Sequence, residues 1–184
     1  MKRAIFLDRD GTLNPDPGYI SDPAQFELFP GVGPALRRLA RAGYILVLIT
    51  NQSGIARGLI SEAQLEAIHQ KLKRLLAADS VKLAGIYYCP HHPDFPDSQG
   101  VSDCNCRKPN PALILRAIEE LDIDASQSYM IGDKGSDIHL GLNAGVTPIF
   151  IGEKLPPGFG QIVAFADLAS AADWILADEH ESGR

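Results

Sequence analysis

The chain has 184 residues, 45% of them hydrophobic and 22% charged, which is enough for a real apolar core in one globular domain spanning 1–184. A formal net charge of −6 argues against a nucleic-acid surface, and no apolar run is long enough to cross a bilayer. The apolar stretch after Met1-Lys2-Arg3 is too short for a signal peptide, so a cytoplasmic protein is expected, and the odd count of three cysteines fits poorly with a disulfide framework.

Ala4-Ile5-Phe6-Leu7 reads as a buried strand, and Asp8-Arg9-Asp10-Gly11-Thr12 follows it directly. Two carboxylates two residues apart on an extended segment point the same way. They repel unless a cation or a shared proton intervenes, so the pair asks for a hard divalent metal, with Mg²⁺ the best match. One carboxylate can attack and the other can move a proton. An Asp-x-Asp after a strand is often only a polar turn, so the weight rests on what recurs downstream.

Pro34 to Arg41 carries helical spacing at Leu36, Leu39 and Ala40, and Gly43 ends it. Tyr44 to Ile49 is a continuous apolar run, the pattern of a strand covered on both faces. Thr50-Asn51-Gln52-Ser53-Gly54 follows; a hydroxyl, an amide and free backbone N–H groups at a strand end suit phosphate oxygens, although an ordinary turn has the same composition. Arg57 can add positive charge, or simply lie solvated. Ser61 and Gln64 form a capping box for a helix striped by Leu65, Ile68, Leu72, Leu75 and Leu76.

Gly85 to Tyr88 reads as a third strand, and an irregular stretch runs from Cys89 to Pro109. Within it, Cys89-Pro90-His91-His92-Pro93 and Cys104-Asn105-Cys106 offer three thiols and a histidine, a set that closes a tetrahedral Zn²⁺ site with no open position. His92 rivals His91 as the fourth ligand. The intervening Asp94 to Asp103 is too polar to order itself through a core, and a structural zinc would pin it. Arg107-Lys108-Pro109 then places a planar fork and a point charge side by side, as a phosphate needs or as a solvated basic pair would have it.

Pro111 to Leu121 is helical, Tyr129 to Ile131 a strand, and Ser136 to Ala144 a helix closed by Gly145. Between the last two lies Gly132-Asp133-Lys134-Gly135-Ser136-Asp137. Asp133 at a strand end can complete a metal shell begun by Asp8 and Asp10, and Asp137 either supports that shell or favours a helix start. Val146 to Ile151 is a strand that Pro148 weakens or moves toward an edge. Ile162 to Phe165 is a short sixth strand, Asp167 to Leu176 a last helix, and Asp178 to Arg184 a polar tail expected to fray.

Strands alternating with helices predict an α/β, three-layer, Rossmann-like fold around a mostly parallel sheet, with sites at the carboxyl ends of the strands. The chain is too short for a large cap domain, so the zinc loop at about 89–109 would shape access to a modest, open pocket. A monomer is expected.

Taken together, Asp8-x-Asp10-Gly11-Thr12, Thr50, Lys108 and Gly132-Asp133-x-x-x-Asp137 resemble the four motifs of the haloacid dehalogenase (HAD) superfamily of phosphotransferases. The longer runs Asp8 to Asn14, Thr50 to Gly58, Cys89 to Pro93 and Cys106 to Pro109 are similar to the D,D-heptose 1,7-bisphosphate 7-phosphatase family. The resemblance implies a Mg²⁺-dependent phosphatase acting on a small phosphorylated sugar. It makes Asp8 the nucleophile and Asp10 the acid and base, the latter with a raised pKa. Mg²⁺ is held by Asp8, the Asp10 backbone carbonyl and Asp133. Thr50 and Lys108 stabilise the transferring group. Asp16, Gly18, Tyr19, Asn51, Gln52, Ser53, Arg57, Arg107 and Lys134 fall in the segments that touch substrate, and Cys89, His91, Cys104 and Cys106 hold zinc. Pro17 stands where relatives often carry His, which departs from the family pattern. Histidinol-phosphate phosphatase, which shares the acid motif and a zinc loop, is the nearest rival; a non-catalytic zinc-stabilised binding module is a rival of another class.

Overall fold

The structure is a computed structural model that describes residues 1–96 and 104–182. Six parallel strands form one sheet: β1 (Ala4–Leu7), β2 (Ile45–Asn51), β3 (Leu83–Cys89), β4 (Tyr129–Gly132), β5 (Thr147–Ile151) and β6 (Val163–Phe165), in the order β3-β2-β1-β4-β5-β6. The helices are α1 (Val32–Arg41), α2 (Glu62–Ala78), α3 (Ala112–Leu121), α4 (Gly135–Ala144) and α5 (Leu168–Ser182).

Alternation along the strands divides the core in two. Ile5, Leu7, Leu46 and Leu48 face one side with Leu36 and Leu39 of α1, Ile68 and Leu72 of α2, and Ile175 of α5. Ala4, Phe6, Val47 and Ile49 face the other with Leu113 and Ile114 of α3 and Leu140 of α4. Helices on both faces of a parallel sheet give the expected three layers, and the apolar run before Thr50 is covered on both sides as its composition required.

Several details differ from the sequence reading. β2 runs on through Thr50 and Asn51, so these two residues end the strand rather than form the turn after it. Pro148 lies not in an edge strand but in β5, which pairs with β4 and β6; the β6 ladder begins only at Ile149, so Pro148 has no ladder partner on that side. The tail expected to fray is helical through Ser182, while Gly183 and Arg184, like the 97–103 portion of the polar loop, lie outside the described residues. No described helix is long and apolar enough to cross a membrane.

A buried histidine makes stability depend on pH. His69 of α2 is 2% exposed, its ring lies 5.9 Å from that of Tyr88, and its Nε2 has no hydrogen-bond partner among the described residues. Burial first, and then the Arg9 charge, lower its pKa to about 4 from 6.5. Between these values the unfolded chain binds a proton that the folded chain refuses, so stability is intact above pH 6.5 and is lost as pH falls toward 4. The expected loss is about 3 kcal/mol. The difference in urea-unfolding stability between the unmodified chain and His69→Leu should show that slope across this range.

Candidate active site and metal centre

β1 sits between β2 and β4, where the chain reverses its direction of winding, and such a switch point opens a crevice at the carboxyl ends of the strands. A cavity of about 350 Å³ lies there. Asp8, Asp10, Asp16, Gly18 and Tyr19 line it from the segment after β1; Thr50, Asn51, Gln52 and Ser53 from the end of β2; Arg107 and Lys108 from the segment before α3; Lys134 and Ser136 from the start of α4.

Lys108 is the hub. Its Nζ is 2.7 Å from Asp8 Oδ1, 2.7 Å from Asp137 Oδ1, and donates to the Ile49 carbonyl at 3.1 Å. Burial alone would lower its pKa, but Asp137 and Asp8 outweigh burial and raise it, so the ammonium is held charged at 4% exposure. The Asn51 amide fixes the segment, accepting from Lys108 N at 3.0 Å and donating to Lys108 O at 3.3 Å. Asp137 is buried, and its Oδ2 also accepts from the Lys134 backbone N–H at 3.0 Å, so it braces the Lys108 ammonium and the start of α4. Burial pushes Asp137 up to about 6, against the pull of Lys108.

Asp133 completes a group with Asp8 and Asp137 whose ligand oxygens lie within 4.8 Å of one another. Thr12 Oγ1 donates to Asp133 Oδ1 at 3.4 Å. Burial raises the Asp133 pKa; Lys134 opposes this and Asp8 adds to it. Three clustered carboxylates against one buried lysine leave negative charge uncompensated, which fits a divalent cation with oxygen ligands. The backbone makes room for it. Gly11 has φ +91°, and a Cβ there would stand 2.1 Å from Asp133 Oδ2; a Cβ on Gly132 would meet Asp137 at 2.4 Å. Gly11→Ala is expected to lower unfolding stability by about 1–3 kcal/mol, read from urea denaturation.

The Asp10 side chain lies outside the three-carboxylate group. Its pKa departs from expectation, lowered rather than raised. Burial does push it up, but Arg9, then hydrogen bonds from Arg9, Asn14 and Gln52, favour the ionised form and win. The raised value was expected because the side chain lacks metal contact, whereas the turn after β1 folds Arg9 onto it and lowers the pKa.

The second cluster lies beyond β3. Cys106 Sγ is 3.1 Å from Cys89 Sγ and 3.3 Å from Cys104 Sγ, Cys89 and Cys104 are 3.5 Å apart, and His91 Nδ1 is 3.4 Å from Cys106 Sγ and 3.7 Å from Cys89 Sγ. A tetrahedron of sulfurs around zinc has edges of about 3.8 Å, so four donors converging on one point at slightly shorter spacing fit that ion. All three cysteines are free of disulfides. His92 is occupied elsewhere: its Nε2 is 2.9 Å from Arg57 Nη2, and its Nδ1 accepts from Asp94 N at 3.2 Å. The rivalry between the two histidines therefore falls to His91.

A HAD-hydrolase-like family model matches residues 105–153. The D-glycero-beta-D-manno-heptose-1,7-bisphosphate 7-phosphatase of Salmonella typhi is 46% identical over 173 residues, covering 94% of this chain and 89% of that one. The chain belongs to this HAD phosphatase family. The Haemophilus influenzae member is 51% identical over 146 residues, with 79% of each chain covered. A crystal structure of D,D-heptose 1,7-bisphosphate phosphatase from B. bronchiseptica, complexed with magnesium and phosphate, superposes with a TM-score of 0.82 at 34% identity, covering 96% of this chain and 99% of that one.

Within this family frame, the cations selected from the sequence differ in placement. Arg57 does not line the cavity; its guanidinium stacks 4.3 Å from the Phe95 ring and meets His92, joining the loop after β2 to the cysteine loop. Lys134 lines the cavity but pairs with Asp16 at 2.9 Å across its mouth. Arg107 Nη1 donates to the His91 carbonyl at 3.1 Å, so the cysteine cluster sets where this cation sits. Sequence reasoning missed Arg9 and Ser136. Ser136 carries no motif signal, but an Arg between two catalytic-type aspartates on a buried strand end is a visible oddity.

Proposed function

We propose that the chain hydrolyses the 7-phosphate of D-glycero-beta-D-manno-heptose 1,7-bisphosphate, leaving the 1-phosphate, through an aspartyl-phosphate on Asp8. The observation that carries this is the buried Lys108 ammonium 2.7 Å from the Asp8 carboxylate, both lining a crevice of about 350 Å³. The family membership and the relatives' activity support the same reading.

Asp8 attacks phosphorus, the bond from phosphorus to the sugar oxygen breaks, and Asp10 gives that oxygen a proton. Water then attacks the phosphorus of the acyl phosphate, Asp10 takes its proton, and the bond to Asp8 breaks to free phosphate. The donors around Asp10 keep it ionised in the free site, ready for the second step; a phosphate dianion beside it favours the protonated form needed for the first. Thr50 and Lys108 face the negative charge that spreads over the transferring oxygens, and Arg107 and Lys134 bind the anionic substrate.

Asp8 and Asp133, with the Asp10 backbone carbonyl, would hold Mg²⁺, whose chemistry when bound is to neutralise phosphoryl charge. Cys89, His91, Cys104 and Cys106 would hold a structural zinc. The chain is read as a cytoplasmic monomer of one domain, with a phosphorylated sugar as its partner and neither nucleic acid nor membrane. A panel containing both heptose bisphosphate anomers, other sugar phosphates and histidinol phosphate tests the assignment. The beta anomer should exceed histidinol phosphate in kcat/KM by more than about tenfold; the reverse order would transfer the chain to the rival activity.

A further inference from the structure

Asp10 is held by four donors. Arg9 Nε and Asn14 Nδ2 donate to Oδ1 at 3.0 and 2.9 Å, while Arg9 Nη2 and Gln52 Nε2 donate to Oδ2 at 2.7 and 2.9 Å. A carboxylate has about four lone-pair positions, so its plane and rotamer are fixed. Gln52 is buried and spends its whole amide on this assembly: Oε1 accepts from Arg9 Nη2 at 3.1 Å, and Nε2 also donates to Thr50 Oγ1 at 2.9 Å. The Gln52 side chain is therefore a strut for Arg9 and Asp10.

Neighbouring side chains on an extended segment point to opposite faces. Here the Arg9 carbonyl accepts from the N–H groups of Thr12, Leu13 and Asn14, and this tight turn brings the guanidinium alongside the next residue's carboxylate. The arrangement is costly. Arg9 is 2% exposed, packs 5.9 Å from the Phe26 ring, and leaves Nη1 without a hydrogen-bond partner among the described residues. A buried ion pair is weak evidence for stability, and an apolar side chain of similar length would avoid the orphaned donor.

We propose that Arg9, braced by Gln52, is a positioning residue that holds the Asp10 carboxylate in the one orientation from which it serves both the leaving oxygen and the attacking water. This inference rests on the phosphatase reading above. A loosely held carboxylate on a two-fold terminal torsion spends its time in unproductive orientations, and small misplacements are expensive in proton transfer.

A double-mutant cycle with Asp10→Asn tests it, using single-turnover and steady-state hydrolysis of p-nitrophenyl phosphate and a sugar phosphate. Arg9→Met is expected to lower kcat about 100-fold with KM changed less than about threefold. In the Asp10→Asn background the same change should cost less than about threefold, because the group Arg9 orients is gone. Equal losses in both backgrounds, or no loss in the first, would overturn the proposal and leave the phosphatase reading standing. An unmodified chain that turns over neither ester would remove both. If Arg9→Met does not fold, Gln52→Leu goes through the same cycle, with additive losses again decisive against the role.

Discussion

Asp8→Asn should lower phosphate release by about 10⁴-fold or more while leaving the fold intact. The amide is isosteric but neutral and a poor nucleophile, so the acyl phosphate cannot form. The stability side of the argument is what makes the test clean. Removing one partner of a buried ion pair normally strands a charge. Here Lys108 keeps Asp137 at 2.7 Å and the Ile49 carbonyl at 3.1 Å, so the ammonium retains a counter-charge after the substitution. Thermal melting should therefore move little, and the lost turnover can be assigned to chemistry. Rapid quench with mass spectrometry should find a phosphorylated Asp8 in the unmodified chain and no phosphorylated species in the variant. Full activity in Asp8→Asn would refute the nucleophile.

What was legible in the sequence divides along physical lines. Features set by local periodicity were readable: the apolar run of β2, the Ser61–Gln64 capping box, and the alternation of strands with helices that places motifs at the carboxyl ends of the strands. Features set by donor chemistry were readable too, because three cysteines and His91 have few other uses together. What stayed hidden was partner choice. Asn51 and Gln52 are polar residues at a strand end and look like substrate ligands, but one clamps the backbone of Lys108, which lies 57 residues further along the chain, and the other braces Asp10. Arg57 stacks on Phe95 because the loops after β2 and β3 run side by side, with Ala56 N donating to the Pro90 carbonyl at 3.2 Å. The direction of the Asp10 shift depends on the neighbouring residue turning back onto it, which no spacing rule encodes.

The second large effect is expected at the cysteine cluster, and it couples metal to catalysis without touching substrate. Fresh protein should carry close to one zinc per chain, as one closed set of four donors requires, and Cys106→Ser should carry almost none. Burial, followed by the neighbouring Cys106, pushes the Cys89 thiol pKa well up, so a thiolate there would need a cation such as zinc to stabilise it. The consequence runs along the chain. Arg107 follows Cys106 directly and is tied to the His91 carbonyl, and Lys108 follows Arg107. Loosening the cluster therefore frees Arg107 and strains the segment that carries Lys108, whose ammonium stays held by Asp8, Asp137 and the Ile49 carbonyl, and kcat/KM is expected to fall about 100-fold. Cys89 ends β3 and belongs to the core layer that also holds Phe6, Val47 and Ile49, while the opposite layer, with Ile5, Leu7 and Leu48, takes none of the cysteines, so far-UV circular dichroism should keep most of its signal. Zinc-free protein with undiminished turnover would show that Arg107 and Lys108 are placed by the Asn51 clamp alone, and the cysteine loop would then have no part in the reaction.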